Sequence, residues 1–165
     1  MRIIAIISSL LFGYTLRAQD VRLSVQTGHS STINSVDYNY DNSLIASASS
    51  DNKVVVWHVE TGKQYGTFIG HINKVSGLVF HPEKNILYSV SMDSTLIVWD
   101  VEAHQQIERI KYDFPLGDVD VSPDGKSLAV SGKALILRDL TAGKDNKIGL
   151  FSENIYNAVK LSPKG

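Results

Sequence analysis

The chain has 165 residues, 43% of them hydrophobic and 20% charged, a balance that suits a globular protein with a real core. Lys+Arg 16 against Asp+Glu 17 leaves a net charge of −1 with no basic cluster, which excludes a nucleic-acid partner bound through its phosphates. Cysteine is absent, which excludes disulfides, a thiol nucleophile and an acylated lipobox.

Residues 1–19 differ from the rest. Arg2 precedes an apolar core at 3–16 (IIAIISSLLFGYTL), and Ala18 offers a small residue at a cleavage point. That core is shorter than the ~20 residues a spanning helix needs, so the layout is that of a signal peptide. A buried first strand and a retained anchor are the competing readings, and the bulky Leu16 leaves the cleaved bond open. The expectation is an exported protein, periplasmic or extracellular, with no stable membrane anchor after cleavage and with residues 20–165 as its folded part.

From residue 22 the chain reads as short strands and turns. Alternating or β-branched runs stand at 22–26, 33–38, 44–49, 53–59 and 64–69, and again at 75–80, 86–91, 95–101 and 105–111. Turn pairs separate them: Asp41-Asn42, Asp51-Asn52, Thr61-Gly62 and Asp93-Ser94. This spacing means an all-β architecture. The series also repeats. His29 and His71, Ser47 and Ser89, Asp51 and Asp93, and Trp57 and Trp99 are each 42 residues apart. A fixed period near forty is the mark of a repeat array. Repeats are expected at about 22–63, 64–105 and 106–144, with a partial one at 145–165. Pro82, Pro123 and Pro163 carry the period onward, each after an apolar strand. The third repeat has strands at 127–130 and 134–137 but not the polar signature: Tyr112 stands for His, Arg138 for Trp, and the 131–133 turn has no Asp. Changes at Tyr112 or Arg138 are therefore expected to matter less than changes in the first two repeats. A fourth set starts at 156–161.

Gly-His at 28–29 and 70–71, the paired Ser and Asp, Trp-His at 57–58, Trp-Asp at 99–100 and Ser-Pro-Asp-Gly at 122–125 resemble the WD-repeat β-propeller family. The resemblance covers nearly all of the chain after residue 21. It implies four-stranded antiparallel blades around a channel, each repeat giving the outer strand of one blade and three strands of the next. On that reading the chain is an incomplete propeller, about three blades and the start of a fourth, with open edges that invite self-association. His58 in place of Asp and the weak third repeat depart from the family.

His, Ser and Asp in one repeat also invite a catalytic reading. Trp only donates and ionised Asp only accepts, while Ser and neutral His do both, so Trp to Ser to His to Asp satisfies all four. The resemblance implies two such structural tetrads: His29, Ser47, Asp51 and Trp57, then His71, Ser89, Asp93 and Trp99. Repetition decides against catalysis, because an active site is needed once and these residues recur at identical spacing. No catalytic residue is assigned. His58, His81 and His104 lack metal-ligand spacing, and no metal or cofactor is expected. Asp118 and Asp120 share a strand face and either meet a cation or basic partner near the channel or are solvated charge at a strand end.

The functional expectation is a non-catalytic interaction scaffold for a protein or peptide partner. By resemblance, partner contacts fall on Ser30, Thr32 and Ser50 in one blade and Ile72, Lys74 and Met92 in the next. Ile72 and Met92 are either exposed anchors or packed against a neighbouring blade. The alternative is the N-terminal targeting or regulatory propeller of a larger enzyme, such as a caspase-like peptidase. The export expectation has a direct check: N-terminal sequencing of protein from its native host should find a chain starting near Gln19 or Asp20, and a retained Met1 in a cytosolic fraction refutes it.

Overall fold

The structure, a computed structural model, describes residues 28–149 and 158–162. The signal-peptide reading at 1–19, the expected strand at 22–26, residues 156–157 and Pro163 lie outside the described residues.

Each antiparallel sheet is built from four strands consecutive in sequence. The first holds β1 (Ile33–Tyr38), β2 (Leu44–Ser49), β3 (Lys53–His58) and β4 (Gln64–Ile69). The second holds β5 (Val75–Phe80), β6 (Ile86–Ser91), β7 (Thr95–Asp100) and β8 (Gln105–Lys111). The third holds β9 (Asp118–Val121), β10 (Ser127–Ser131), β11 (Leu135–Asp139) and β12 (Lys144–Lys147). All are meanders, so a strand pairs with its neighbours in sequence through a tight turn. At Asp41-Asn42, Asp51-Asn52, Thr61-Gly62, Asp93-Ser94 and Asp124-Gly125 the second residue of the pair has positive φ, between 60° and 68°. Asn and Gly tolerate that conformation, Ser94 adopts it in a turn closed by its amide on the Ser91 carbonyl at 3.2 Å, and it reverses the chain between the strands.

The period extends to the irregularities. Register shifts between Ile33 and Ser35 and between Val56 and Trp57 recur between Val75 and Gly77 and between Val98 and Trp99. β4 pairs with β3 although it starts the second sequence repeat, so each repeat spans two sheets. β12 (KDNK) was not expected: its four residues are all polar and exposed, and it forms by pairing along β11. The described part of the expected fourth set, residues 158–162, is in no sheet. Its amides bond side chains instead.

The sheets stack face to face through two cores. Ala46, Val54 and Val56 of the first sheet pack with Leu78, Phe80, Leu87 and Ile97 of the second. Val79, Tyr88, Val90 and Leu96 on the other face of the second sheet pack with Val119, Leu128, Val130 and Ile136 of the third. The second sheet is thus covered on both faces, which is why β7 reads TLIVWD without alternation. Side chains also bolt adjacent inner strands together. The Asn34 amide donates to the Val75 carbonyl at 2.8 Å, and in the equivalent place the Ser76 hydroxyl donates to the Leu116 carbonyl at 2.7 Å. Asp37 accepts the Phe80 N–H at 2.8 Å.

Among the described residues the result is three blades of an open, incomplete propeller. The outward face of the first blade shows this in numbers: Ile33, Val36 and Tyr38 are 54%, 57% and 50% exposed, whereas their counterparts Val75, Leu78 and Phe80 are 0%, 3% and 3% exposed. Identical register, opposite burial, makes a paired test. Leu78→Ala should destabilise the protein by about 2–5 kcal/mol through lost contacts and a cavity. Val36→Ala should stay within about 0.5 kcal/mol. Urea midpoints of the two variants check both.

Candidate functional site

Two loops per blade, the one entering the inner strand and the turn between the second and third strands, meet at the same end of the sheet. In the second blade the Trp99 indole N–H donates to the Ser89 hydroxyl at 2.8 Å, and Ser89 Oγ lies 2.8 Å from His71 Nε2. His71 Nδ1 lies 3.1 Å from Asp93 Oδ2. With the proton on Nδ1, every group finds a partner: Ser89 donates to Nε2 and Nδ1–H donates to the carboxylate. In the first blade Trp57 donates to Ser47 at 3.0 Å, Ser47 Oγ is 2.8 Å from His29 Nε2, and His29 Nδ1 is 3.0 Å from Asp51 Oδ2.

The carboxylates also hold backbone. Asp93 accepts the Ile72 amide at 2.9 Å and the Thr95 amide at 2.9 Å, and Asp51 accepts those of Ser30 at 2.9 Å and Lys53 at 3.0 Å. One aspartate therefore clamps both loops of its blade. Burial pushes the Asp93 carboxyl up, but the Thr95 hydroxyl, the Ile72 amide and the His71 ring outweigh it and hold its pKa below the ordinary range. Asp51 is held down likewise, against its burial, by the Ser30 amide, His29 and the Lys53 amide. Burial holds the His71 pKa below its usual value although Asp93 pulls it upward.

The glycine of each Gly-His pair has a steric cause. A Cβ at Gly70 would lie 2.8 Å from the tip of the Trp99 ring, and one at Gly28 would lie 3.2 Å from the Trp57 ring. Trp99 is 3% exposed and meets Phe68 edge-on at 5.6 Å. Ser89 is fully buried and Ser47 only 4% exposed, so neither hydroxyl is open to a substrate. The arrangement clamps the loops and keeps both hydroxyls inside the sheet.

Above the tetrads stand the six candidate contact residues. Ser30, Thr32 and Ile72 are exposed, while Ser50, Lys74 and Met92 are half-buried. Backbone bonds join them in two groups: Ser50 N–H to the Thr32 carbonyl at 2.9 Å, and Met92 N–H to the Lys74 carbonyl at 3.0 Å. Ile72 is 82% exposed, so the reading that packed it under a neighbouring blade is overturned. His58 and His104 flank Tyr65, one edge-on and one stacked, in an aromatic column rather than a metal site. No group of metal-ligating side chains occurs among the described residues.

Asp118 and Asp120 are not solvated charge. Asp118 accepts the Val159 amide at 3.1 Å, and Asp120 accepts the Leu161 amide at 2.6 Å and the Lys160 ammonium at 2.7 Å. Asp120 is 4% exposed, and burial raises the Asp118 pKa against its amide bonds. The cation that Asp120 meets is the chain's own Lys160. Two further residues have roles that the sequence did not show. Thr95 joins the second tetrad through Asp93 at 2.6 Å and His71 at 3.1 Å. Arg138 takes the register of Trp57 and Trp99 and is 9% exposed, pairing with Asp145 at 2.9 Å and with Glu108 of the second sheet at 3.3 Å. Beside it lies the buried Tyr112 ring, 8% exposed, whose hydroxyl pKa is raised by burial and by the Asp145 carboxylate. The third blade has replaced a tetrad with an ion-pair bridge to its neighbour.

Residues 21–58 and 62–100 match the WD40 family, described as WD domain, G-beta repeat. Among solved structures the chain is similar to one titled Structure of U3-55K and to another titled Crystal structure of RRP9 WD40 repeats. Each match has a TM-score of 0.69 and 22% identity, and covers 74% of this chain. The chain accounts for 38% of the length of either structure, well under two thirds. No curated protein matches.

Asp93→Ala and Trp99→Ala should each cost roughly 2–4 kcal/mol, through orphaned partners and, for Trp99, a cavity. The ion-pair bridge revises the expectation for the third blade: Arg138→Ala should cost about 1–3 kcal/mol, because it leaves Asp145 and Glu108 without their cation. Denaturant melts of the three variants decide, and an unchanged Asp93→Ala midpoint contradicts the clamp.

Proposed function

We propose that this chain, whose residues 21–58 and 62–100 match WD40 repeats, is a non-catalytic docking scaffold whose tetrad-bearing end receives a protein or peptide. The observation that carries this is Ile72: an isoleucine 82% exposed on a loop whose own amide is tied to a buried carboxylate. An apolar side chain so presented loses little conformational freedom on binding, which favours association. Lys74 and Met92 lie on the same pair of loops and add a charge and a polarisable contact, and Ser30, Thr32 and Ser50 form a polar rim on the adjoining blade. The enclosed His-Ser-Asp sets serve the scaffold and leave the chemistry of the surface to side chains that recognise rather than react. Export to the periplasm or beyond belongs to the same reading, on the strength of Arg2, the apolar run and Ala18.

Partner capture tests the face directly. The full chain and its Ile72→Asp variant are used as bait in extract from the native host, and proteins retained by the first but not the second are identified. A retained partner should lose at least tenfold in affinity with Ile72→Asp, a loss of about 1.4 kcal/mol or more, typical of an interface anchor. Equal retention by both baits refutes the assignment. A melting temperature for Ile72→Asp close to that of the parent shows that the exposed substitution left the fold intact.

A further inference from the structure

The seam between the second and third blades contains a histidine that the docking face does not use. His81 follows β5 at the turn into β6, and only 6% of it is exposed. Its Nδ1 accepts the Glu83 amide at 3.1 Å, which requires that nitrogen to be unprotonated. The other edge of the ring lies against Gly125, in the turn between β9 and β10. Gly125 has φ +67°, and a Cβ there would come within 2.5 Å of His81 Nε2. The imidazole is thus wedged between the turns of two blades. In the first blade the same register holds Asn39, whose side-chain amide donates across to Asn85 of the second blade at 2.9 Å. In the third blade it holds Ser122, whose hydroxyl stays within its own turn. One inter-blade position is therefore filled by an amide at one seam and by a titratable ring at the next.

We propose that His81 is an acid-released latch: neutral, it holds the β9–β10 turn against the second blade, and protonated, it lets the third blade loosen. Protonation turns Nδ1 from acceptor to donor, so that two N–H groups oppose each other in a nearly buried site. It also places a charge where water cannot reach it freely. The charged groups around the ring are Glu83 and Lys84 on its own turn and, on the facing turn, Asp124 and Lys126 beside Gly125. Burial, then Lys84, holds the His81 pKa below its ordinary value; Glu83 and Gly125 pull upward and do not prevail. The sign follows from that depression. The contribution is complete above the unfolded value of about 6.5 and is lost as pH falls through the lower folded value. Release exposes Val79, Val119 and Leu128, now part of the core between these blades.

Hydrogen-exchange protection factors, corrected for intrinsic rates, test this on the full chain at about pH 7.5 and about pH 5.5, either side of the free imidazole value. In the wild type, protection across β9 and β10 should fall by roughly tenfold at the lower pH, while β1–β3 keep theirs. In His81→Asn, which installs the residue of the first blade at this register, the fall should vanish. Equal loss in both proteins, or none in the wild type, overturns the latch. So does loss that starts in β5–β7, since that points to His71. Should His81→Asn fail to fold, the His81 ring proton titrated by NMR in the wild type decides, and a midpoint at or above about 6.5 overturns the proposal.

Discussion

A four-stranded sheet that is apolar on both faces cannot be stable alone in water; it needs a neighbour on each side. That constraint governs this protein. The second blade shows it fulfilled, with β7 buried along nearly its whole length because cores lie on both of its faces. The first blade shows the same sequence pattern with one side open, and its Ile33, Val36 and Tyr38 stand half in solvent. Burial at a given register is decided by the neighbour, not by the residue, and at about 25 cal/mol per Å² the difference is energetically substantial.

Stacked sheets would still slide or fray at their ends, and polar groups prevent it at two places. At one end, Asp51 and Asp93 each collect amides from two loops and a histidine, so that a single carboxylate fixes the shape of a surface. Along the inner strands, Asn34, Asp37, Ser76, Asp118 and Asp120 reach across to backbone of the next segment. Edge strands present unpaired amides and carbonyls, and these side chains satisfy them without forming a continuous sheet. The rigidity that makes exposed Ile72 a credible anchor comes from these bonds. The third blade reaches similar cohesion by other chemistry, through Arg138 between Asp145 and Glu108.

Much of this was legible before any coordinate. The eight strands from β1 to β8 stand within a residue of the runs read from alternation and turn pairs, because hairpins are local: a two-residue turn and a period of two specify them. β12 escaped because KDNK has no apolar face to announce it; its strand character is borrowed from β11. The tetrads were readable as groups because their spacing recurs, which no single copy would have revealed. Thr95 and Arg138 were not, since the first lacks a counterpart in the other repeat and the second breaks the pattern it replaces.

The chain by itself determined the strands, their turns, the period and the four residue types that must meet, since each depends on neighbours in sequence or on the hydrogen-bonding inventory of the side chains. Only the tertiary structure decided that Ile72 faces solvent, that Asp118 and Asp120 hold residues 159–161, that Arg138 joins two blades and that His81 touches Gly125. All four depend on which blade lies alongside. Contacts between blades join residues about forty positions apart, and no local pattern records them.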